Sequence, residues 1–217
     1  RTNMPFNLDV TDAKVLLRAL AVNSKKVLDT LTDGYNNFLQ INPEDAKKVY
    51  LDSANKHRDM GDYEGAIKIY RKILDIEPAN VQALAELGKV YLKVGLLNDA
   101  IELLEKARTM DQTSAHICYH LGTAYFMEDK NSEALRAFKE AVRLNPGHIE
   151  AHYKMGLVYD NMLDHDKAIE AFNKTIAIDP DFVKAYQSLG LAYEGKGQRD
   201  EAVKYFKKAL EKEEKRF

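Results

Sequence analysis

Apolar residues recur along this chain at intervals of three and four, the spacing that lines up one face of an α-helix. Between residues 47 and 216 these stripes come in pairs, and the pair itself returns every 34 residues. Ala202 steps back in that interval to Ala168, Ala134, Ala100 and Ala66. Gly190 steps back to Gly156, Gly122, Gly88 and Ala54, and Tyr193 to Tyr159, Tyr125, Tyr91 and His57. Phe206 steps back to Phe172, Phe138, Leu104 and Tyr70. Small and aromatic residues at a fixed phase mark packing positions, and a period of this length predicts stacked helical hairpins. Five contiguous copies are expected, at 47–80, 81–114, 115–148, 149–182 and 183–216.

The hairpin explains the residue types. Gly190 and Ala202 are small enough to let two helix backbones approach, and Tyr193 and Phe206 are expected to fill the space between a hairpin and its neighbour. Gly197 falls in the turn, where a residue without Cβ adopts positive φ at no steric cost. Pro78, Pro146 and Pro180 stand where second helices should end, because proline cannot continue the intrahelical ladder. Gln112 and Glu214 hold that place in the remaining repeats. This pattern resembles the tetratricopeptide repeat (TPR). The resemblance implies an all-α fold, a right-handed solenoid of antiparallel helix pairs with five clear repeats behind a degenerate N-terminal one.

Residues 1–46 form a separate N-terminal element in this reading. They suggest two amphipathic helices, with Asp12 a suitable first cap and the Thr32–Gly34 region near a second. Aligned on Pro43, the stretch reads as a damaged repeat one residue out of register. Tyr35 takes the aromatic position, but Leu31 replaces the small alanine and Arg18 a core leucine. A bulky Leu31 would hold the helices apart. The element is expected either to cap the array or to detach from it, with Leu16, Leu17, Leu20, Leu28, Leu31 and Tyr35 as its apolar face. The chain begins at Arg1 and its first methionine is Met4, which leaves room for a natural amino terminus further upstream.

Composition narrows the function. A formal charge of −2 argues against a general nucleic-acid binder, which would present a basic field. The single cysteine, Cys118, excludes an intramolecular disulfide and fits a reducing compartment. No apolar run reaches membrane-spanning length, and "VLLRALAV" is interrupted by Arg18. The lysine-rich end "KYFKKALEKEEKR" is diluted by three glutamates and reads as an exposed helix.

Catalytic chemistry finds little to work with. There is no Gly-rich phosphate loop, no Cys-x-x-Cys pair and no recognisable nucleophile motif, so neither an enzyme nor a cofactor is expected. "HICYH" sets His116 and His120 one helical turn apart, a weak candidate for a shared metal to which Glu150 could add an oxygen. His148 and His152 make a second such pair. Against metal binding, Cys118 and His152 fall on the large-residue core position. Carboxylate pairs such as Asp164 and Asp166 read as solvated turn charges.

In TPR arrays the first helices line a concave groove, into which positions 2, 5, 9, 12 and 13 of each repeat point. Carried over, the groove would begin with a basic end of Lys48, Asn55, Arg58, Asp59, Lys89 and Lys93. Its middle would hold His116, Tyr119, Thr123, Phe126, Met127, Tyr153 and Leu157, and its far end Lys184, Gln187, Leu191 and Glu194. An exposed strip of Tyr, Phe, Met and Leu suits the apolar face of an amphipathic helix. TPR adaptors for chaperone tails carry a Lys/Asn and Lys/Arg clamp for two carboxylates. Here those positions hold Leu51, Asn55, Tyr119 and Thr123, so the clamp is absent.

"MGLVYDNMLDHDKAIEAFNKTIAIDP" and the repeat after it resemble the C-terminal repeats of the MamA family, the magnetosome-associated TPR proteins of magnetotactic bacteria. That resemblance implies a non-enzymatic, cytoplasmic scaffold, peripheral on the magnetosome membrane and held there through protein contacts. It also implies homo-oligomerisation, with the N-terminal element of one molecule in the groove of the next, and a convex face holding other magnetosome proteins. The alternative reading is a monomeric TPR adaptor for a helix or peptide of a different protein.

Overall fold

The structure is a computed structural model that describes residues 43–214. The chain divides into two compact units, residues 1–52 and 53–217. The expected self-assembly residues Leu16, Leu17, Leu20, Leu28, Leu31 and Tyr35 lie outside the described residues. Among the described residues there are ten α-helices and no strand. In chain order they are α1 (Pro43–Asp59), α2 (Tyr63–Ile76), α3 (Val81–Val94), α4 (Leu97–Met110) and α5 (Ala115–Met127). The rest are α6 (Asn131–Leu144), α7 (Ile149–Asn161), α8 (His165–Ile178), α9 (Val183–Gly195) and α10 (Arg199–Glu214). The second unit is a TPR solenoid of helix pairs, α3–α4 to α9–α10 following the α1–α2 turn, and each second helix packs on the next first helix.

Side chains and backbone punctuate the helices at repeating positions. Asn80, Ser114 and His148 cap α3, α5 and α7, each accepting a hydrogen bond from the backbone N–H three residues on. The turn after each first helix contains one left-handed residue, and Gly61, Gly95 and Gly197 take it at φ 76°, 82° and 74°. Asp129 and Leu163 occupy the same place at φ 55° and 60°. Second helices stop two residues before Pro78, Pro146 and Pro180, as the sequence predicts. Helix α4 stops at the same phase without a proline. There the Asp111 carboxylate accepts from Thr113 N–H at 2.9 Å and from the Thr113 hydroxyl at 2.8 Å, folding the chain into a turn.

One packing expectation is corrected. Phe206 does not fill the space between hairpins; it lies on Gly190 within its own hairpin, where an added Cβ would come within 2.4 Å of the ring. Phe172 lies on Gly156, Phe138 on Gly122 and Leu104 on Gly88 in the same way. The glycine leaves the volume of a side chain empty, and the ring opposite takes it. The tyrosines do reach the neighbouring repeat. Tyr125 donates its hydroxyl to Glu105 at 2.7 Å, and Arg71 donates to the Tyr91 hydroxyl at 2.7 Å. Tyr193 packs against the cluster of Ala168, Phe172, Leu189 and Ala192.

Candidate functional site

Helices α3, α5, α7 and α9 contact one another in succession, so the groove positions they carry recur at one phase of neighbouring helices in the second unit. Its basic end is built as a network. Arg58 donates to Glu86 and to Asn55, the latter at 3.1 Å, and pairs with Asp59 at 2.8 Å. Lys89 reaches the same Glu86 at 2.9 Å. Burial works against the Arg58 charge, but the Asp59 hydrogen bond and the field of Glu86 outweigh it and raise its pKa. Tyr70 donates to Asn55 at 2.7 Å, and burial followed by the Glu86 field pushes its pKa up to about 12. Glu86 therefore offsets part of the positive charge carried by Arg58 and Lys89. The groove positions omit it; its spacing of three from Lys89 on one helix was the available signal. Lys93 is exposed, and Lys48 is exposed on α1.

The apolar middle is partly packed on itself. Tyr119 is half-buried, its ring 4.8 Å from His148, 5.1 Å from His120 and 6.0 Å from Phe138. Thr123 donates its hydroxyl back to the Tyr119 carbonyl at 3.0 Å. Phe126 packs on the α5–α7 core and carries the Lys154 ammonium 5.6 Å above its ring. Tyr153 stands 5.1 Å from the Phe182 ring, with its hydroxyl 3.3 Å from that of Ser188. Leu157 packs beside Tyr153 on the Phe172 and Leu189 core. Tyr119, Thr123, Phe126, Tyr153 and Leu157 each present only part of their surface, whereas Met127 and Leu191 are 48% and 55% exposed. Half-embedded rings are held rigidly, which reduces the entropy a partner must remove on binding.

The histidines take separate roles. His148 caps α7 through Nδ1, which leaves Nε2 buried without a hydrogen-bond partner. Its ring packs 5.6 Å from exposed His116. His152 contacts the Pro146 carbonyl through Nε2 at 3.0 Å. Burial, followed by Lys89, His116, His148 and Lys93, pushes the His120 pKa down to about 3. Cys118 is buried, and burial raises its pKa. Among the described residues no group of three or more His, Cys, Asp or Glu side chains is placed to hold a metal. Asp164 caps α8 and pairs with Lys167, and Asp166 pairs with Lys196.

Family models described as tetratricopeptide repeat match residues 57–117, 115–148, 149–182 and 183–214. A crystal structure of a MamA protein is 57% identical, with 78% of this chain and 92% of that one covered and a TM-score of 0.71. A second MamA crystal structure is 58% identical, with 75% and 95% covered and a TM-score of 0.71. The fold is shared with MamA (residues 41 to the end) of Desulfovibrio magneticus RS-1, at 24% identity, 78% and 96% coverage and a TM-score of 0.73. Comparison with curated protein sequences returns no match.

Proposed function

The chain belongs to the MamA family of tetratricopeptide-repeat proteins and is a protein-interaction scaffold, and within that role we propose that it assembles with itself on the magnetosome membrane and recruits magnetosome proteins there. The observation that carries this reading is the first-helix face, where Tyr119, Phe126, Tyr153 and Leu157 are half-buried beside exposed Met127 and Leu191. A strip of that kind suits the apolar side of an amphipathic helix. The proposed occupant is the element at residues 12–40 of a second copy, whose Leu31 and Arg18 depart from the repeat pattern. Such a contact is heterologous, so it builds rings or filaments instead of a closed pair.

The function is non-enzymatic in this reading. Attachment to the membrane is assigned in this reading to contacts with other proteins; no helix among the described residues is long and apolar enough to cross a bilayer. Light scattering after size exclusion tests the mechanism by comparing the full chain with residues 41–217. The truncated protein should run as a folded monomer and bind a synthetic 12–40 peptide saturably. Large assemblies that survive truncation would rule the mechanism out and leave a cap. A monomeric full chain would favour the adaptor reading.

A further inference from the structure

The turns joining first to second helices follow one another along one edge of the second unit. In four successive repeats this edge exposes large apolar side chains. Met60 is 74% exposed, Val94 41%, Leu96 45%, Met127 48%, Met162 47% and Leu163 77%. These are six of the 12 exposed large hydrophobics among the described residues, and they fall on only four positions of the repeat. A lone exposed apolar residue is ordinary, whereas a periodic row of them marks an interaction surface. The fifth repeat ends the row with Lys196, Gly197 and Gln198.

Leu163 adds a second observation. It holds the left-handed place at φ 60° that glycine takes in three other repeats, a conformation an L side chain adopts only under strain. Most of its surface faces water, so burial does not offset that strain. Uncompensated strain at an exposed residue is characteristic of functional surfaces.

Charge selects the partner. The turns and the first residues of the following helices in these four repeats (59–65, 93–99, 127–133 and 161–167) hold nine carboxylates and three lysines, against −2 for the whole chain. Asp59, Asp99, Asp129 and Asp166 are exposed among them, with Asp59 paired to Arg58 and Asp166 to Lys196, so that counting those two partners nine carboxylates still face only five cations. An acidic field of this kind repels anionic lipid and nucleic acid and attracts a cationic partner. Adaptable methionine and leucine side chains suit a helix laid across them. Residues seven apart on such a helix are about 10.5 Å apart, close to the roughly 8–10 Å between packed helices.

We infer that this turn edge is a docking surface that meets the first-helix face only at Met127, and that it takes a basic amphipathic helix of another protein. The helix lies along the edge with its apolar side on the Met/Leu row and its lysines or arginines against the flanking carboxylates. The inference does not depend on self-assembly.

The test titrates the full chain with two synthetic amphipathic peptides, one of leucine and lysine, the other of leucine and glutamate at the same helical spacing. Fluorescence anisotropy reads affinity and hydrogen exchange reads location. The lysine peptide should bind in a salt-dependent way and protect residues 59–65, 93–99, 127–133 and 161–167. Combining Met60→Gln, Met162→Gln and Leu163→Gly should weaken it at least tenfold. The melting temperature of the Leu163→Gly single variant, at or above that of the parent, shows that the fold is kept. Equal binding of both peptides, protection centred on Tyr119 and Tyr153, or an unchanged affinity in the triple variant would each overturn the proposal. So would binding to anionic phospholipid vesicles that the triple variant abolishes.

Discussion

The left-handed residue after each first helix is glycine in three repeats and aspartate in one, residue types that tolerate that conformation, but Leu163 does not. Leu163→Gly should therefore raise stability by roughly 0.5–1 kcal/mol, as relief of strain exceeds the added chain entropy of glycine. Urea unfolding measures this, and a loss of stability would show that Leu163 packs favourably in its turn. His120 governs a second residue-scale effect. Its pKa is depressed from 6.5 to about 3, so the unfolded chain takes up the proton first as pH falls. The stabilisation is complete above pH 6.5 and is lost as pH drops towards 3, amounting to about 2 kcal/mol by pH 5. Burial lowers the His148 pKa as well, which acts in the same direction. The melting temperature should fall between pH 7 and pH 5, and less steeply in His120→Gln; an equal fall in both would remove His120 as the cause.

Within each hairpin the controlling contact is glycine against a bulky side chain. A Cβ on Gly156 would lie 2.3 Å from the ring of Phe172, which is fully buried and cannot swing into solvent. Gly156→Ala should destabilise by about 1–3 kcal/mol through overpacking. Ala134→Leu should cost a similar amount, since Ala134 is fully buried. Gly147 is the control. Its nearest neighbour would be Asn145 Oδ1 at 3.5 Å, so Gly147→Ala should stay within about 0.5 kcal/mol. Thermal unfolding of the three variants decides the point: equal melting temperatures would mean the hairpins are not held by this contact.

For the whole molecule, the first-helix face separates apolar anchors from charges. Phe126 is seated in the α5–α7 core, whereas Lys93 is exposed. Phe126→Ala should weaken binding of the 12–40 peptide by about 2 kcal/mol, and Lys93→Ala should act mainly on the association rate in moderate salt. Calorimetry and stopped-flow mixing separate the two effects, and equal affinity losses would contradict the anchor account. Glu86 refines this picture. Because it is shared by Arg58 and Lys89, the basic end carries less free charge than those two residues suggest.

The 34-residue phase alone located the helices, their breaks and the small residues, because one backbone geometry is solved again in every repeat. Position in the repeat likewise nominated Tyr119, Phe126, Tyr153 and Leu157, which lie on neighbouring first helices and are half-buried. What each side chain touches was decided in three dimensions. The sequence could not say that Phe206 would occupy the space left by Gly190, since periodicity reports phase and not which of two neighbouring gaps a ring fills. Nor could it say that Glu86 would join two cations from different helices, or that Asp111 would close a turn without proline. His148 has the spacing of a metal pair with His152, a reading the sequence weighed against, and it serves as a helix cap, because the chain that brings its Nδ1 to the Ala151 amide also buries the other nitrogen. Helical repeats are set by local periodicity, whereas ion pairs, caps and ring contacts depend on distances between elements that only the packed chain establishes.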